Sequence, residues 1–446
     1  MLDPATPSPV DLKDFSAYIA SCAAIADQRL QGYAGIEAVA RDEAALNEYP
    51  RLGRLRPPQD VLIIDQPSPA ALDAARQSLL RGEVLLEHAC AGEATRLGLG
   101  PKYLLSPASD LTPAVLRDMG LGKLAVKPTA LSAMSLGRRH MLQLAWDLGV
   151  LAQEAGLSPD TVLGRQWLLI IVGETSAERI MADFSQANFY GFDPAKALFM
   201  IQRSFHGLDL RPGGGWAYDL AAPKRLHNHG QMLMQSTMNR QILRIDSGGK
   251  RFLEWDEYRM LLEGMVDKVS FNIEDLGYLN GALDLTGLAT ALELGGQGFG
   301  MVMEVVANNP RNPQKGGALY HDPQLGRDVM IESFQLRGVR NEDIAFLNKN
   351  INHYPNPAKM AAEVRRRGLS MPVSVKNGYL YFQPVQGDVN FLLPTAFVRR
   401  ALLEPISAWK SAADTEAALK AMLMQERRPG FMTWAENITG LRLQKV

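Results

Sequence analysis

The sequence predicts an α/β fold, with a mixed, mainly parallel sheet carrying helices on both faces. The main sign is an alternation that starts at residue 83. Short apolar runs, "VLLEHA", "WLLIIV", "ALFMIQ", "VSFNIE" and "FGMVMEVV", are separated by helical pieces such as "TSAERIMADFSQA" and "LATALELGG". A second sign is the contrast with residues 1 to 80, which read as mostly helical. A third is the tail beyond about residue 396, which turns helical again.

Taken in order, "DFSAYIASCAAIADQRL" spaces its apolar residues as a helix does, and "GIEAVARDEAALNEY" does so more weakly. "PSPAALDAARQSLLRG" is punctuated at both ends: Ser68 suits an N-cap, Pro69 the first helical position and Gly82 the position past the end. The apolar runs that follow lead into loops where a parallel sheet gathers its ligands, beyond the carboxyl ends of the strands. "SAADTEAALKAMLMQE" is the clearest helix of the tail. This organisation divides the chain into a helical N-terminal region (1–82), a sheet-containing domain (83–395) and a small C-terminal region (396–446).

Composition narrows the function. A chain of 446 residues holds two or three structural units around a large core. With 46% hydrophobic and 21% charged residues it is a folded globular protein rather than a disordered one. A net charge of -1 gives no global field for nucleic acid or an anionic membrane, so neither is expected as a partner and any anion site must be local. Cys22 and Cys90 make no disulfide framework and no CxxC pair, which points to a reducing compartment. "MLDPATPSPVDLKDF" does not read as a signal peptide, and no stretch reaches the ~20 apolar residues of a membrane span. A cytoplasmic location is expected; the oligomeric state is left open.

The local anion site has an obvious candidate. "VLLEHACAGEATRLGLGPKYLLSP" breaks from an apolar run into a small-residue loop and then supplies Arg96 and Lys102 within seven residues. Small residues let backbone N–H groups approach a phosphate, arginine adds bidentate hydrogen bonds and lysine adds a point charge. Neither GxxxxGK[ST] nor GxGxxG opening a helix is present. On these residues alone, a phosphate cradle and a solvated basic loop are equally open.

The loop "AG-x-x-TRLG-x-x-PK" resembles the signature loop of the UDP-sugar pyrophosphorylases, usually two glycines, two variable positions, Thr-Arg-Leu-Gly and then Pro-Lys. Ala91 and Gly92 stand for the glycine pair, and Ala94 replaces the glycine before the threonine. The resemblance implies that Arg96 and Lys102 hold the phosphates of UTP. It also implies a three-layer αβα, Rossmann-like nucleotidyltransferase (GT-A-like) fold with a short C-terminal extension. Further motifs follow in the family's order. "WLLIIVGETSAERIMADFSQANFYGFDPAKALFMIQR" places Gln202 where a glutamine meets the uracil edge, a task suited to an amide with donor and acceptor. "APKRLHNHGQMLMQ" resembles the "GHGD" or "GNGG" stretch, with His229 and Gly230 as the central pair and Gln231 in place of the acidic or glycine residue. It implies a backbone contact from Gly230 to the base. A metal site at His227 and His229 is disfavoured, because an i, i+2 pair points opposite ways on a strand.

"VSFNIEDLGYLNG" resembles the strand end whose aspartate helps bind Mg²⁺; Glu274 takes that position and Asp275 the next. Both are hard oxygen donors suited to magnesium, and both also suit a helix N-terminus. "NNPRNPQKGGALYHDPQLGRDVMIESFQL" is similar to the glucose 1-phosphate branch, which implies sugar contacts from Lys315, Gly317 and Glu332. "FLNKNINHY" adds Asn348 and Asn350, and "LEPISAWKSAAD" adds Lys410 as a second phosphate-binding lysine. The motifs cover roughly residues 82 to 415.

The implied reaction joins UTP to a sugar 1-phosphate, glucose 1-phosphate favoured, and releases pyrophosphate. It requires no side-chain nucleophile, and none is evident: there is no GxSxG and no Cys–His pairing. Cations and Mg²⁺ are the physical requirement, because two phosphates brought together repel. The alternatives are an N-acetylglucosamine or broad-specificity relative, a glycosyltransferase on the same fold, and a catalytically weak sugar-nucleotide sensor. The second lacks its expected Asp-x-Asp pair; the substitutions at Ala94 and Glu274 motivate the third.

Overall fold

The computed structural model describes residues 3–7, 10–64, 66–92, 97–246, 248–309, 313–401 and 408–443. In chain order the strands are β1 (Val61–Ile63), β2 (Val84–Ala89), β3 (Trp167–Gly173), β4 (Ala197–Gln202), β5 (Leu208–Leu210), β6 (Trp216–Tyr218), β7 (Ile242–Asp246) and β8 (Gly249–Leu253). They continue as β9 (Asp267–Asn272), β10 (Met301–Ala307), β11 (Ala318–Asp322), β12 (Arg327–Ile331), β13 (Phe346–His353), β14 (Val373–Lys376), β15 (Tyr379–Phe382) and β16 (Thr395–Arg399).

The large sheet runs β1-β16-β10-β13-β9-β2-β3-β4-β7-β8, and the β11–β12 hairpin leans on β13. Strands β9, β2, β3 and β4 are parallel to one another, as are β1, β16 and β10. Strand β13 lies antiparallel between the two blocks. It meets β9 only at its carboxyl end, at Asn352↔Ser270 and His353↔Val269, with Tyr354 and Lys268 exchanging backbone hydrogen bonds just beyond (2.9 and 3.3 Å). Past Ser270 the carboxyl end of β9 and the start of β13 part company, and a fork opens in the sheet.

The apolar runs are continuous because both faces are covered. Leu86, Leu168, Ile170, Val172 and Phe199 enter one core, with residues of helices Leu136–Glu154 and Ala177–Gln186. Leu85, Leu169, Ile171, Leu198 and Met200 enter another, with Tyr258 and Leu262 of helix Trp255–Glu263. This is the three-layer αβα arrangement the sequence implied. Helix Pro69–Arg81 is capped as expected: the Ser68 hydroxyl accepts from Ala71 N (3.1 Å), and Gly82 closes the other end.

The N-terminal region is helical but not only so. Helices Phe15–Arg29 and Ile36–Asn47 pack on a small antiparallel sheet, β14-β15-β5-β6. There Asn47 imitates a strand neighbour, donating to Val373 O (2.7 Å) and accepting from Val373 N (2.8 Å). Strand β1, from the same region, joins the large sheet beside β16. A boundary at residue 82 therefore cuts through the sheet; a three-residue strand behind Pro57 and Pro58 leaves too little pattern to see.

The C-terminal segment folds back into the main core. Trp409, Leu419, Met422 and Phe431 are buried with the residues of helix Leu136–Glu154. Arg139, fully buried in that helix, donates to Glu426 Oε1 (2.6 Å). Removing the acid while keeping the buried guanidinium leaves an uncompensated charge. Glu426→Ala should cost about 3–5 kcal/mol. The Arg139→Met, Glu426→Leu double variant should cost less than the single one, read from denaturant midpoints; equal loss in both would place the stabilisation in packing alone.

Candidate functional site

Four parallel strands deliver their carboxyl ends to one edge. Strand β2 continues into Cys90, Ala91 and Gly92; β3 ends at Gly173, paired with Gln202 at the end of β4; β9 ends at Asn272 and turns through Glu274 and Asp275. Lys102 closes the loop by donating its backbone N–H to Gly92 O (3.0 Å). Arg96 lies in 93–96, outside the described residues.

Lys102 is buried, and its ammonium meets Glu274 Oε2 at 2.5 Å. From the far end of the chain Lys410 reaches the other oxygen, Oε1, at 3.4 Å. Residues 408–410 are fastened there by backbone. Asp275 and Ala408 form an antiparallel bridge, and Trp409 N donates to Glu274 O (2.9 Å). Buried Trp409 and the Ser411–Asp414 capping box hold the segment's other side. One carboxylate balances one of the two ammonium groups. The cluster keeps a surplus positive charge, which suits an incoming phosphate.

The base of Lys102 is anchored through its neighbour. Tyr103 OH lies 3.1 Å from Tyr190 OH and 3.3 Å from Asp183 Oδ2, while Arg138 Nε donates to Asp183 Oδ1 (2.6 Å). Tyr190 stands in a run of left-handed residues, Asn188, Phe189 and Tyr190, with φ of 49°, 48° and 55°. Such a run costs on the order of 1–2 kcal/mol per residue. The buried hydroxyl network and the ring packing around Phe184 offset it.

The nucleotide-side residues come together, though not all in the expected roles. Gln202 is buried and donates from Nε2 to Asn228 O (3.1 Å). His229 accepts from Gln386 N at Nδ1 (2.9 Å), and burial pushes its pKa down to about 4. His227 stacks on Phe205 at 3.8 Å and meets Tyr18 OH at 3.2 Å, so the two histidines serve separate packing and hydrogen-bonding partners. Gly230 corrects the reading made from sequence. Its N–H donates to Pro384 O (2.9 Å), and a Cβ there would come within 2.5 Å of Pro384 C and Val385 N. The glycine is needed for close backbone packing, and its N–H is not free for a base.

Of the residues expected at the sugar, Gly317, Glu332 and Asn348 meet at the open end of the β11–β12 hairpin. The register Ala318↔Ile331 sets Gly317 opposite Glu332, and Asn348 N donates to Gly317 O (2.9 Å). A Cβ on Gly317 would approach Glu332 Oε1 to 3.2 Å. Asn350 belongs to β13, but its side chain lies outside the described ones. Lys315 is exposed, two residues before Gly317.

Residues 384–390 were missed by the sequence reading and tie the two halves together. Pro384 receives Gly230, and the Gln386 side chain donates to Tyr354 OH (2.9 Å) and Ser270 Oγ (3.3 Å). Asn390 grips Met330 through N (3.2 Å) and O (3.1 Å), and a Cβ on Gly387 would displace the end of the Met330 side chain. The signal was the polar run "QPVQGD" between the apolar "YLYF" and "VNFLL".

The acids proposed for magnesium separate. Glu274 faces the lysines, whereas Asp275 Oδ1 caps Gly277 N (2.9 Å) and its pKa is raised by burial. Asp275 thus takes the helix-capping type of role. Among the described residues the one cluster with metal-ligand spacing is Asp60, His321 and Asp328, outside this site, and backbone N–H groups of Gln59 and Asp60 already fill Asp328. Glu274 is a hard donor, but beside two ammonium groups it fits a divalent ion only when phosphates accompany that ion.

No protein-family model matches the chain, and no curated protein matches its sequence. Solved structures do. The UDP-N-acetylglucosamine pyrophosphorylase of Trypanosoma brucei, in complex with inhibitor, is similar at a TM-score of 0.59 and 13% identity, over 92% of this chain and 86% of that one. A single-site mutant of UDP-glucose pyrophosphorylase from Leishmania major is similar at 0.57 and 14%, over 91% and 79%. A UDP-glucose phosphorylase from Trypanosoma brucei follows at 0.53 and 16%, over 90% and 79%. The chain has the fold of the UDP-sugar pyrophosphorylases, and the likeness extends beyond the span of the motifs. Among the described residues no helix is long and apolar enough to cross a membrane.

Two carboxyl groups of the hairpin region carry a pH signature. Burial pushes Glu332 up to about 7, and burial together with the Glu332 charge pushes Asp388 up to about 8. Both bind protons more tightly folded than unfolded, so their contribution is complete below the ordinary carboxylate range and is lost as pH rises through about 7 to 8. The denaturant midpoint should fall as pH rises from about 4 to about 8 and level off above that, and Asp388→Asn should flatten the fall. A slope unchanged in the variant would show that Asp388 does not titrate there.

Proposed function

We propose that the protein is a uridylyltransferase that joins UTP and a hexose 1-phosphate, glucose 1-phosphate favoured, to give a UDP-sugar and pyrophosphate. The observation that carries this reading is the convergence of Lys102 and Lys410 on Glu274 at the carboxyl ends of the parallel strands. The neighbouring structures support the class of substrate, since those proteins are named as UDP-glucose and UDP-N-acetylglucosamine pyrophosphorylases.

A non-bridging oxygen of the sugar phosphate attacks the α-phosphorus. The bond from the α-phosphorus to the α,β-bridging oxygen breaks, and pyrophosphate leaves with that electron pair. No proton needs to be taken by the protein, so the work left to side chains is alignment and charge. Lys102 and Lys410 would exchange part of their hold on Glu274 for phosphate oxygens, and Arg96 would join them from the loop. Glu274, released in part, would be the protein donor for Mg²⁺ brought in with the triphosphate; the ion would neutralise phosphate charge. Gln202 would face the base, and Gly317, Glu332, Asn348 and Asn350 the sugar, with Lys315 nearer its phosphate.

The neighbours divide between two sugars, so an N-acetylglucosamine or broad-specificity enzyme is the second reading. Pyrophosphate release from UTP with a panel of sugar 1-phosphates separates the two. Absence of release with every sugar would favour a sugar-nucleotide sensor. Lys102→Ala and Lys410→Ala should each lower kcat on the order of 10²-fold, because each removes charge that matters most as pyrophosphate departs. Lys315→Ala should instead raise KM for the sugar phosphate with UTP binding largely intact. Wild-type rates in all three variants would overturn the clamp.

A further inference from the structure

Beneath the strand ends lies a chain of buried glutamine amides. Gln235 donates from Nε2 to Ile201 O (2.7 Å) and Gln241 Oε1 (3.0 Å), and its Oε1 accepts from Arg203 N (3.2 Å). Gln231 donates from Nε2 to Arg203 O (2.6 Å) and Gln235 Oε1 (3.1 Å), and its Oε1 accepts from His227 N (2.8 Å). Gln202 donates from Nε2 to Asn228 O (3.1 Å) and Gln231 Oε1 (3.4 Å). All three side chains are buried.

An amide can usually flip, and its two ends look alike. Here backbone groups remove that freedom. A carbonyl oxygen can only accept and an N–H can only donate, so Ile201 O, Arg203 O and Asn228 O each demand an amide nitrogen. Arg203 N and His227 N each demand an amide oxygen. Flipping Gln202 would set its oxygen against Asn228 O and Gln231 Oε1 together, two repelling contacts inside a buried site. Both hydrogens of the Gln202 amide are therefore committed. Its Oε1 has no partner among the described residues, and it is not among the sealed polar atoms of the core.

We infer that Gln231, steadied by Gln235, holds Gln202 as an obligatory acceptor and so selects a pyrimidine carrying an N3–H. This rests on the uridylyl reading and sharpens it. Uracil and 5-methyluracil present that donor. Cytosine presents a lone pair at N3, which would face the lone pairs of Oε1. Gln231 is a positioning residue: it touches Gln202, not the base. A glycine in its place would leave Nε2 of Gln202 one acceptor short, and an acid there could not donate to Arg203 O in its charged form.

The test is calorimetric titration of the full chain with UTP, 5-methyl-UTP, CTP and 3-methyl-UTP, the last being UTP with its N3–H replaced by a methyl group. UTP and 5-methyl-UTP should bind alike, and CTP and 3-methyl-UTP should each bind on the order of 10- to 10²-fold more weakly. In Gln231→Met the UTP-to-CTP affinity ratio should fall about tenfold, since one restraint on the flip is gone. A merely loosened fold would weaken both nucleotides and leave the ratio unchanged. UTP binding accompanied by equal binding of 3-methyl-UTP, or an unchanged ratio in a folded Gln231→Met, overturns the relay while the uridylyl reading stands. If Gln231→Met does not fold, the 3-methyl-UTP result on the unaltered chain decides. Failure of the unaltered chain to bind UTP, or equal binding of ATP, removes the uridylyl reading and the relay with it.

Discussion

Two ammonium groups on one carboxylate set the organisation of the site. Lys102 comes from the loop after β2 and Lys410 from a segment that follows β16, and without a carboxylate between them the two would repel. Glu274 lets them share a position, at the end of a third strand. The backbone bridge between Asp275 and Ala408 then fixes the late segment to the turn after β9. The C-terminal helices, packed into the same core as helix Leu136–Glu154, hold that segment from behind. The core and the charge cluster are mechanically one unit.

The second constraint is the reversal of β13. It meets β9 only towards its own carboxyl end, at Asn352 and His353 and just beyond at Tyr354, and a fork opens past Ser270. The fork separates the residues of the β2, β4 and β9 ends from those of the β11–β12 hairpin, so a ligand with two dissimilar halves can be read from both sides. Residues 384–390 cross between the sides, bonded to Gly230 and His229 on one and to Met330 on the other. Gly230 allows the closest of these approaches, backbone against backbone at Pro384 and Val385.

How much of this was legible follows from where the signals lie. The five apolar runs were legible because a strand buried on both faces is apolar for most of its length, even with Glu87, His88, Ser270 and Glu304 buried among them; all five became strands, with "VSFNIE" ending early, at Asn272, where the turn to Glu274 begins. The helix Leu136–Glu154 is hard to see in the sequence although it packs deep in the core, because Arg139, His140 and Gln143 occupy core positions and break the apolar stripe. The small sheet was invisible for another reason: β5 and β6 have three residues each and find β14 and β15 only through long-range pairing. At the candidate site, residue types pointed to the charge cluster, since lysine and glutamate advertise charge. Backbone commitments did not show. Nothing in "HNHGQ" reveals that the N–H of Gly230 is spent on Pro384, or that "QPVQGD" spans the cleft.

The departures from the family pattern can be weighed with the geometry in place. Glutamate at position 274 has one methylene more than the usual aspartate, and its carboxylate stands far enough from the backbone for each oxygen to meet a different lysine. Asp275, the other acid of the pair, is occupied by the turn and held back by burial. Gln231 replaces an acid or glycine, yet every polar atom of its amide is satisfied by groups that only an amide could serve together. A drifting, unused site would be expected to lose such complementarity first, because a half-satisfied buried network costs more than an apolar one. The substitutions at 274 and 231 are each matched by partners elsewhere in the chain.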